Sequence, residues 1–283
     1  MFVKKITVLG AGTMGHGIAQ VSAMAGYTVC LTDINQDALD RALQHIEANL
    51  SKGVEKGKVS QEEKQHSLER LSTESDLATA VQGADLVIEA VPENLELKRK
   101  LFRIIDENTA ASTILATNTS SLSISDIAEV VADPSKVIGL HFFNPVHIMK
   151  LLEIVYHTGT SPDVIECCQT YAKSIHKESI LVRNVPGFAT SRLGVCLGME
   201  AIRMLEEEVA SAEDIDKAMV LGYRHPIGPL KLTDLVGLDV RMAIGEYLAA
   251  ELNNPAFKAP KLMRQMVAEG KLGKKTKEGF YQW

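Results

Sequence analysis

His141 closes an apolar run, in Gly139-Leu140-His141-Phe142-Phe143-Asn144-Pro145. An imidazole has an unperturbed pKa of about 6.5 and so can move a hydroxyl proton near neutral pH. Glu153 follows in Lys150-Leu151-Leu152-Glu153-Ile154-Val155. If that segment returns antiparallel to the run holding His141, its carboxylate reaches the imidazole, fixes the tautomer and stabilises the imidazolium. Asn118-Thr119-Ser120-Ser121 follows another apolar run, and the Ser120 hydroxyl can hydrogen-bond a reacting oxygen. This set suits hydride transfer between an alcohol and a ketone. A lone histidine on a strand is more often structural than catalytic, so spacing alone leaves His141 open.

A redox cofactor is indicated near the N-terminus. Gly10-Ala11-Gly12-Thr13-Met14-Gly15 follows an apolar run and opens a helical pattern. In such a turn the first glycine permits the tight bend and the second lets backbone approach a pyrophosphate. The third allows close helix–sheet packing. Unpaired N–H groups and the helix dipole then favour the anion. Asp33 ends the next strand, 18 residues beyond Gly15. Its carboxylate can accept both ribose hydroxyls and would repel a 2′-phosphate, by about 4 kcal/mol at an effective dielectric near 20. NAD is therefore expected over NADP. The competing role for Asp33 is to cap the helix that follows.

These residues need strands to carry them. Continuous apolar runs at residues 6–9, 28–32, 85–91, 114–117 and 137–140 predict buried parallel strands. A helix is expected over residues 14–25, ended by Gly26, and a long helical excursion over residues 36–71, interrupted by Gly53 and Gly57. Strand–helix alternation predicts an α/β domain with a Rossmann-type doubly wound sheet, in which ligand-binding groups gather at the carboxyl ends of the strands. The pattern changes after Asn184-Val185-Pro186-Gly187. Leu193, Leu197, Ala201 and Leu205 recur at helical spacing, and Ser211 and Gly222 mark the start and stop of another helix. The expected division is residues 1–183 as the cofactor domain and 184–283 as an all-helical substrate and dimerisation domain.

With 46% hydrophobic residues the 283-residue chain can bury a large core, and its net charge of −6 argues against nucleic-acid or membrane partners. Cys30, Cys167, Cys168 and Cys196 have neither CxxC nor zinc-ligand spacing, and read as buried, reduced thiols of a cytoplasmic protein. No metal is expected. The apolar run near the N-terminus is short for a signal peptide, and residues 4–9 read as the first strand.

Nearly the whole chain resembles the short-chain L-3-hydroxyacyl-CoA dehydrogenases. The resemblance rests on GAGTMG, VPENLELK, ATNTSSLSI, GLHFFNPV, MKLLEIV, PGF, EDIDKAM, HPIGPLKLTDLVGLD and GKKTKEGFY, in the family's order. It implies NAD as cofactor, an acyl-CoA substrate and a homodimer. It also implies His141 as catalytic base and acid, Glu153 as its partner, and Ser120 as the hydroxyl contacting substrate and nicotinamide. Glu93, Lys98, Asn118, Asn144 and Lys275 match positions lining the cofactor site, and Ser120 and Asn144 border the substrate. The family's asparagine in PGFxxNR is replaced by Ser191, whose hydroxyl is shorter and offers one donor rather than two. Glu208 and Lys277 stand where relatives commonly have glycine, and both are expected on exposed turns. In the family the helical excursion covers the CoA nucleotide, so Lys52 and Lys56 are candidates for its phosphates; a solvated helix face explains them equally well. The expected reaction joins a short (S)-3-hydroxyacyl-CoA such as 3-hydroxybutyryl-CoA to NAD. The alternatives are a dehydrogenase of a free 3-hydroxy acid and a non-enzymatic NAD-binding relative.

Overall fold

The computed structural model describes residues 2–283, which form two compact units, one ending at Asn184 and the other beginning at Val185. The first unit is built on an eight-stranded sheet. Its strands are β1 (Lys5–Leu9), β2 (Thr28–Thr32), β3 (Leu71–Glu74), β4 (Leu86–Glu89), β5 (Ile114–Thr117), β6 (Val137–Phe142), β7 (Leu151–Tyr156) and β8 (Glu178–Arg183). They lie in the order β3-β2-β1-β4-β5-β6-β7-β8, and all neighbours are parallel except β6 and β7. The order reverses at β1, so the carboxyl ends of β1 and β4 flank a switch point, where ligands bind in open α/β sheets.

The central strands are buried because helices cover them. Ile6, Val8, Val29, Leu31, Leu86 and Ile88 are fully buried. The helices are α1 (Thr13–Met24), α2 (Gln36–Glu55), α3 (Gln61–Glu69), α4 (Leu77–Ala80), α5 (Leu95–Asn108), α6 (Ile124–Ala128) and α7 (Pro162–Ser174). Local chemistry sets their limits. Asn35 caps α2 through the amide of Ala38, and Ser60 and Glu63 form a reciprocal capping box at α3. Gly26, at φ +95°, takes the chain out of α1.

Three expectations need correction. The helical excursion stops at Glu69, and Leu71 begins β3, an edge strand with little apolar character. Asp33 does not cap α2, because Asn35 does. Cys30, Cys167 and Cys168 are buried, but Cys196 is exposed on the helical unit.

The second unit holds α8 (Thr190–Glu206), α9 (Ala212–Lys217), α10 (Pro229–Val236), α11 (Leu238–Glu251) and α12 (Lys261–Ala268). Its core gathers Val195, Met199, Ile202, Leu230, Leu248 and Met263. A π-helical turn, Ala218–Gly222, prolongs α9 to the glycine stop. Two buried carboxylates tie the unit together. Asp216 accepts from the amides of Leu230 and Lys231, satisfying the start of α10, and from the Tyr281 hydroxyl. Asp234 accepts from the amides of Phe280 and Tyr281 and from the Trp283 indole, which pins the C-terminal tail. Glu208 and Lys277 are exposed, as expected, and both adopt left-handed backbone, at φ 59° and 64°.

Candidate active site

The glycine turn sits at the switch point. The Gly10 amide donates to Thr32 O at 2.8 Å, and the Ala90 amide donates to Leu9 O at 2.7 Å. A side chain on Gly10 would meet Ala90 O at 2.7 Å, and one on Gly15 would meet Gly10 O at 1.7 Å. Those two glycines are required by the protein's own packing. A Cβ on Gly12 would meet nothing within 4 Å, so the turn is open on that side. Gly12 also begins α1 without a side-chain cap, and the first turn carries no acid, so its amides and dipole are available to an anion. Thr13 is exposed and Met14 half-buried beside them. Asp33 accepts from the amide of Ala11 at 2.9 Å and from that of Asn35 at 3.0 Å, which locks the acid against the turn. The open cradle, the uncapped helix and the fixed carboxylate fit a dinucleotide.

Further along the same edge, β6 and β7 pair with His141 and Glu153 as register partners. The imidazole Nδ1 lies 2.6 Å from Glu153 Oε2, and Glu153 is fully buried. Asn118 is linked to the same strand: its side-chain oxygen accepts from the amide of Phe142 at 2.9 Å. Asn144 is exposed two residues later.

The Ser120 loop is held by carboxylates. Glu93 Oε1 accepts from the Thr119 hydroxyl at 2.5 Å and from the Ser120 and Ser121 amides at 3.0 and 3.2 Å. The Ser120 hydroxyl is 3.4 Å from the same oxygen. Burial pushes the Glu93 carboxyl up, but the Thr119 hydroxyl, the Lys98 charge and the Ser120 amide outweigh it and leave it below the usual range. Lys98 is almost wholly buried and donates to Glu89 at 2.7 Å and to Val91 O at 3.3 Å, with Glu93 also at 3.3 Å. Sequence reasoning missed Glu89. The signal was a charged residue closing the apolar run Leu86-Val87-Ile88-Glu89 at the end of a strand.

In the second unit, Ser191 lies in the first turn of α8, and Lys275 pairs with Asp239 at 2.6 Å. Lys52 and Lys56 are exposed at the end of α2. A cavity of about 390 Å³ in the first unit is lined by Lys58 from the same excursion, with Asn49, His147, Met149 and Lys177. Lys177 donates to Val146 O and Met149 O and so pins the loop after Asn144-Pro145, and burial pushes its amine down. A cavity of about 520 Å³ in the helical unit contains none of the sequence-predicted site residues. Among the described residues, no group of three or more His, Cys, Asp or Glu side chains could hold a metal ion, and no helix is long and apolar enough to cross a membrane.

A largely parallel sheet with a glycine turn at its switch point and an acid closing the second strand defines a dinucleotide-binding fold. Residues 5–185 match the model of the 3-hydroxyacyl-CoA dehydrogenase NAD-binding domain, and residues 187–283 match that of the family's C-terminal domain. The chain is 43% identical to a 3-hydroxybutyryl-CoA dehydrogenase of Clostridioides difficile, with 99% of each covered. It is 42% identical to the mitochondrial hydroxyacyl-coenzyme A dehydrogenase of Sus scrofa, covering all of this chain and 92% of that protein. The crystal structure of (S)-3-hydroxybutyryl-CoA dehydrogenase PaaH1 from Ralstonia eutropha superposes with a TM-score of 0.96 at 38% identity, covering 100% of this chain and 99% of that one. The chain belongs to the 3-hydroxyacyl-CoA dehydrogenase family and is an NAD-dependent dehydrogenase.

Proposed function

We propose that the protein interconverts a short (S)-3-hydroxyacyl-CoA and its 3-oxo form, with 3-hydroxybutyryl-CoA and acetoacetyl-CoA as the substrate pair. The observation that carries the proton transfer is the 2.6 Å contact between His141 Nδ1 and Glu153, and the similarity to 3-hydroxybutyryl-CoA dehydrogenases supports the substrate. A carboxylate at Nδ1 holds the N–H there, which makes Nε2 the nitrogen that exchanges a proton with substrate. Nε2 takes the C3 hydroxyl proton during oxidation and returns it to the 3-oxo oxygen during reduction, while Glu153 stabilises the imidazolium. The Ser120 hydroxyl turns from its long contact with Glu93 to bond the C3 oxygen. Bound NAD supplies the hydride-accepting carbon for the C3 hydrogen. Gly10, Gly12, Thr13, Met14, Gly15, Asp33, Glu93, Lys98, Asn118 and Asn144 would hold it on the first unit, and the family resemblance adds Lys275 as a candidate. Ser191, at the position of the family's catalytic-site asparagine, is a candidate for the same role, with a water able to extend its shorter reach.

For the CoA phosphates, Lys58 in the 390 Å³ cavity joins Lys52 and Lys56 as a candidate. Exposed Leu193, Leu235, Val236 and Val240 on the helical unit support a homodimer. The proposal includes a cytoplasmic location.

The test is NADH oxidation with acetoacetyl-CoA, longer 3-oxoacyl-CoAs and free 3-oxo acids. Turnover greatest with acetoacetyl-CoA is expected, and His141→Gln should lower it by about 10²–10⁴. A folded His141→Gln variant with near-normal turnover overturns the mechanism. Preference for free acids overturns the substrate, and NADH binding without any turnover would favour a structural relative.

A further inference from the structure

Glu89 is the last residue of β4, is fully buried, and has no assigned part in the reaction. Its Oε2 accepts from the Thr117 hydroxyl at 2.7 Å, and that hydroxyl oxygen in turn accepts from the amide of Thr119 at 3.2 Å. Its Oε1 accepts from Lys98 at 2.7 Å and from the amide of Val91 at 2.7 Å. Lys98 reaches Glu93, and Glu93 accepts from the Thr119 hydroxyl. Glu89, Thr117, Thr119, Glu93 and Lys98 thus close a ring of hydrogen bonds and ion pairs. The segment leaving the ring is Ser120-Ser121, with both amides on Glu93.

The charges make the ring directional. Lys98 is buried between two carboxylates, and Glu89 is the nearer of them. Glu89 therefore absorbs most of the ammonium's demand for a counter-charge and leaves Glu93 Oε1 free to gather the Ser120 loop. If Glu89 were neutral, Lys98 would draw on Glu93 alone, and the carboxylate would turn from the loop toward the ammonium. At the same time Thr117 would lose the acceptor that orients its hydroxyl toward Thr119.

We propose that Glu89 is a positioning residue that sets the Ser120 hydroxyl for the reacting oxygen, acting through Lys98–Glu93 on one side and Thr117 on the other. The inference rests on the reading of Ser120 given above. A displacement of about 1 Å at a reacting group can cost about 100-fold in rate, so Glu89→Gln is expected to lower kcat by about 10- to 100-fold.

The test combines Glu89→Gln with Ser120→Ala and follows acetoacetyl-CoA reduction. Because Glu89 acts through Ser120, Glu89→Gln should cost little further in the Ser120→Ala background. In the free protein, amide hydrogen exchange at Thr119, Ser120 and Ser121 should accelerate in Glu89→Gln. If the single variant fails to fold, Thr117→Val cuts the other arm at nearly constant volume and should show the same cancellation with a smaller loss. Equal losses in both backgrounds overturn the proposal, as does a variant that lowers thermal stability alone with kcat unchanged. Absence of acetoacetyl-CoA turnover in the wild type would instead sink the proposed reaction. Wild-type turnover unaffected by Ser120→Ala would sink the route through Ser120.

Discussion

His141 and Glu153 are opposite one another in the antiparallel β6–β7 pair, with Nδ1 and Oε2 2.6 Å apart. The pairing uses two backbones to hold the imidazole in one orientation. Glu153→Gln keeps the size of the side chain but removes the charge that stabilises the imidazolium. Turnover is expected to fall by about 10²-fold or more while cofactor binding changes little. Steady-state kinetics beside an NADH fluorescence titration would check it, and unchanged kcat would exclude the pair from the chemistry.

The glycines of the turn should separate by experiment. Gly15→Ala drives a methyl into Gly10 O and is expected to cost about 1–3 kcal/mol or more of stability. Gly12→Ala places its methyl in open space and should cost less than about 1 kcal/mol. It should nevertheless weaken NADH binding by about tenfold or more, since the methyl fills the approach of the pyrophosphate. Urea denaturation with NADH titration distinguishes the two. Tight NADH binding by Gly12→Ala would move the cofactor away from this turn.

Asp33 carries the cofactor preference. Its carboxylate is held by the amides of Ala11 and Asn35, so it cannot swing away from a 2′-phosphate without losing both bonds. In Asp33→Ala the ratio of kcat/KM for NADH to that for NADPH is expected to shrink by about tenfold or more. A constant ratio would show that selectivity lies elsewhere.

Glu208 and Lys277 occupy left-handed backbone that favours glycine. Both are exposed, so no packing is lost on their removal. Glu208→Gly and Lys277→Gly should each stabilise the protein by up to about 1 kcal/mol, because strain relief exceeds the added freedom of the unfolded chain. Chemical denaturation of the single and double variants gives the answer; a loss in both would mean that the strain is absent.

Acid sensitivity follows from Glu93. Its folded carboxyl lies below the ordinary value of 4.5, so the ionised form is favoured by folding. The resulting stability is present above about pH 4.5 and is lost as the pH falls through the depressed folded value. Melting temperatures taken from about pH 6 to about pH 3 should decline less steeply for Glu93→Gln than for the wild type. Parallel curves would place the acid response in other carboxylates.

The fold was legible where structure is locally dictated. The turn at Gly10, the stop at Gly26, β2 and β5 follow from backbone freedom and from fully buried apolar runs. β3 and β8 were not legible, because each sits at an edge of the sheet and is largely half-buried or exposed, so neither Leu71–Glu74 nor Glu178–Arg183 carries a buried-strand pattern. Cys196 was misplaced for a related reason: residue type alone does not tell which face of a helix turns to water.

The site divides in the same way. Sequence by itself determined the dinucleotide turn, the acid after the second strand, and the imidazole, carboxylate and hydroxyl available for proton transfer, since these depend on residue type and near neighbours. Only the tertiary structure decided that Glu153 meets His141, because a one-residue slip of the β6–β7 register would turn that carboxylate to the opposite face. It alone decided that Glu89 belongs with Ser120: the acid joins Lys98 and Thr117, nine and twenty-eight residues along the chain, and no periodicity in the sequence encodes a ring closed through three separate segments.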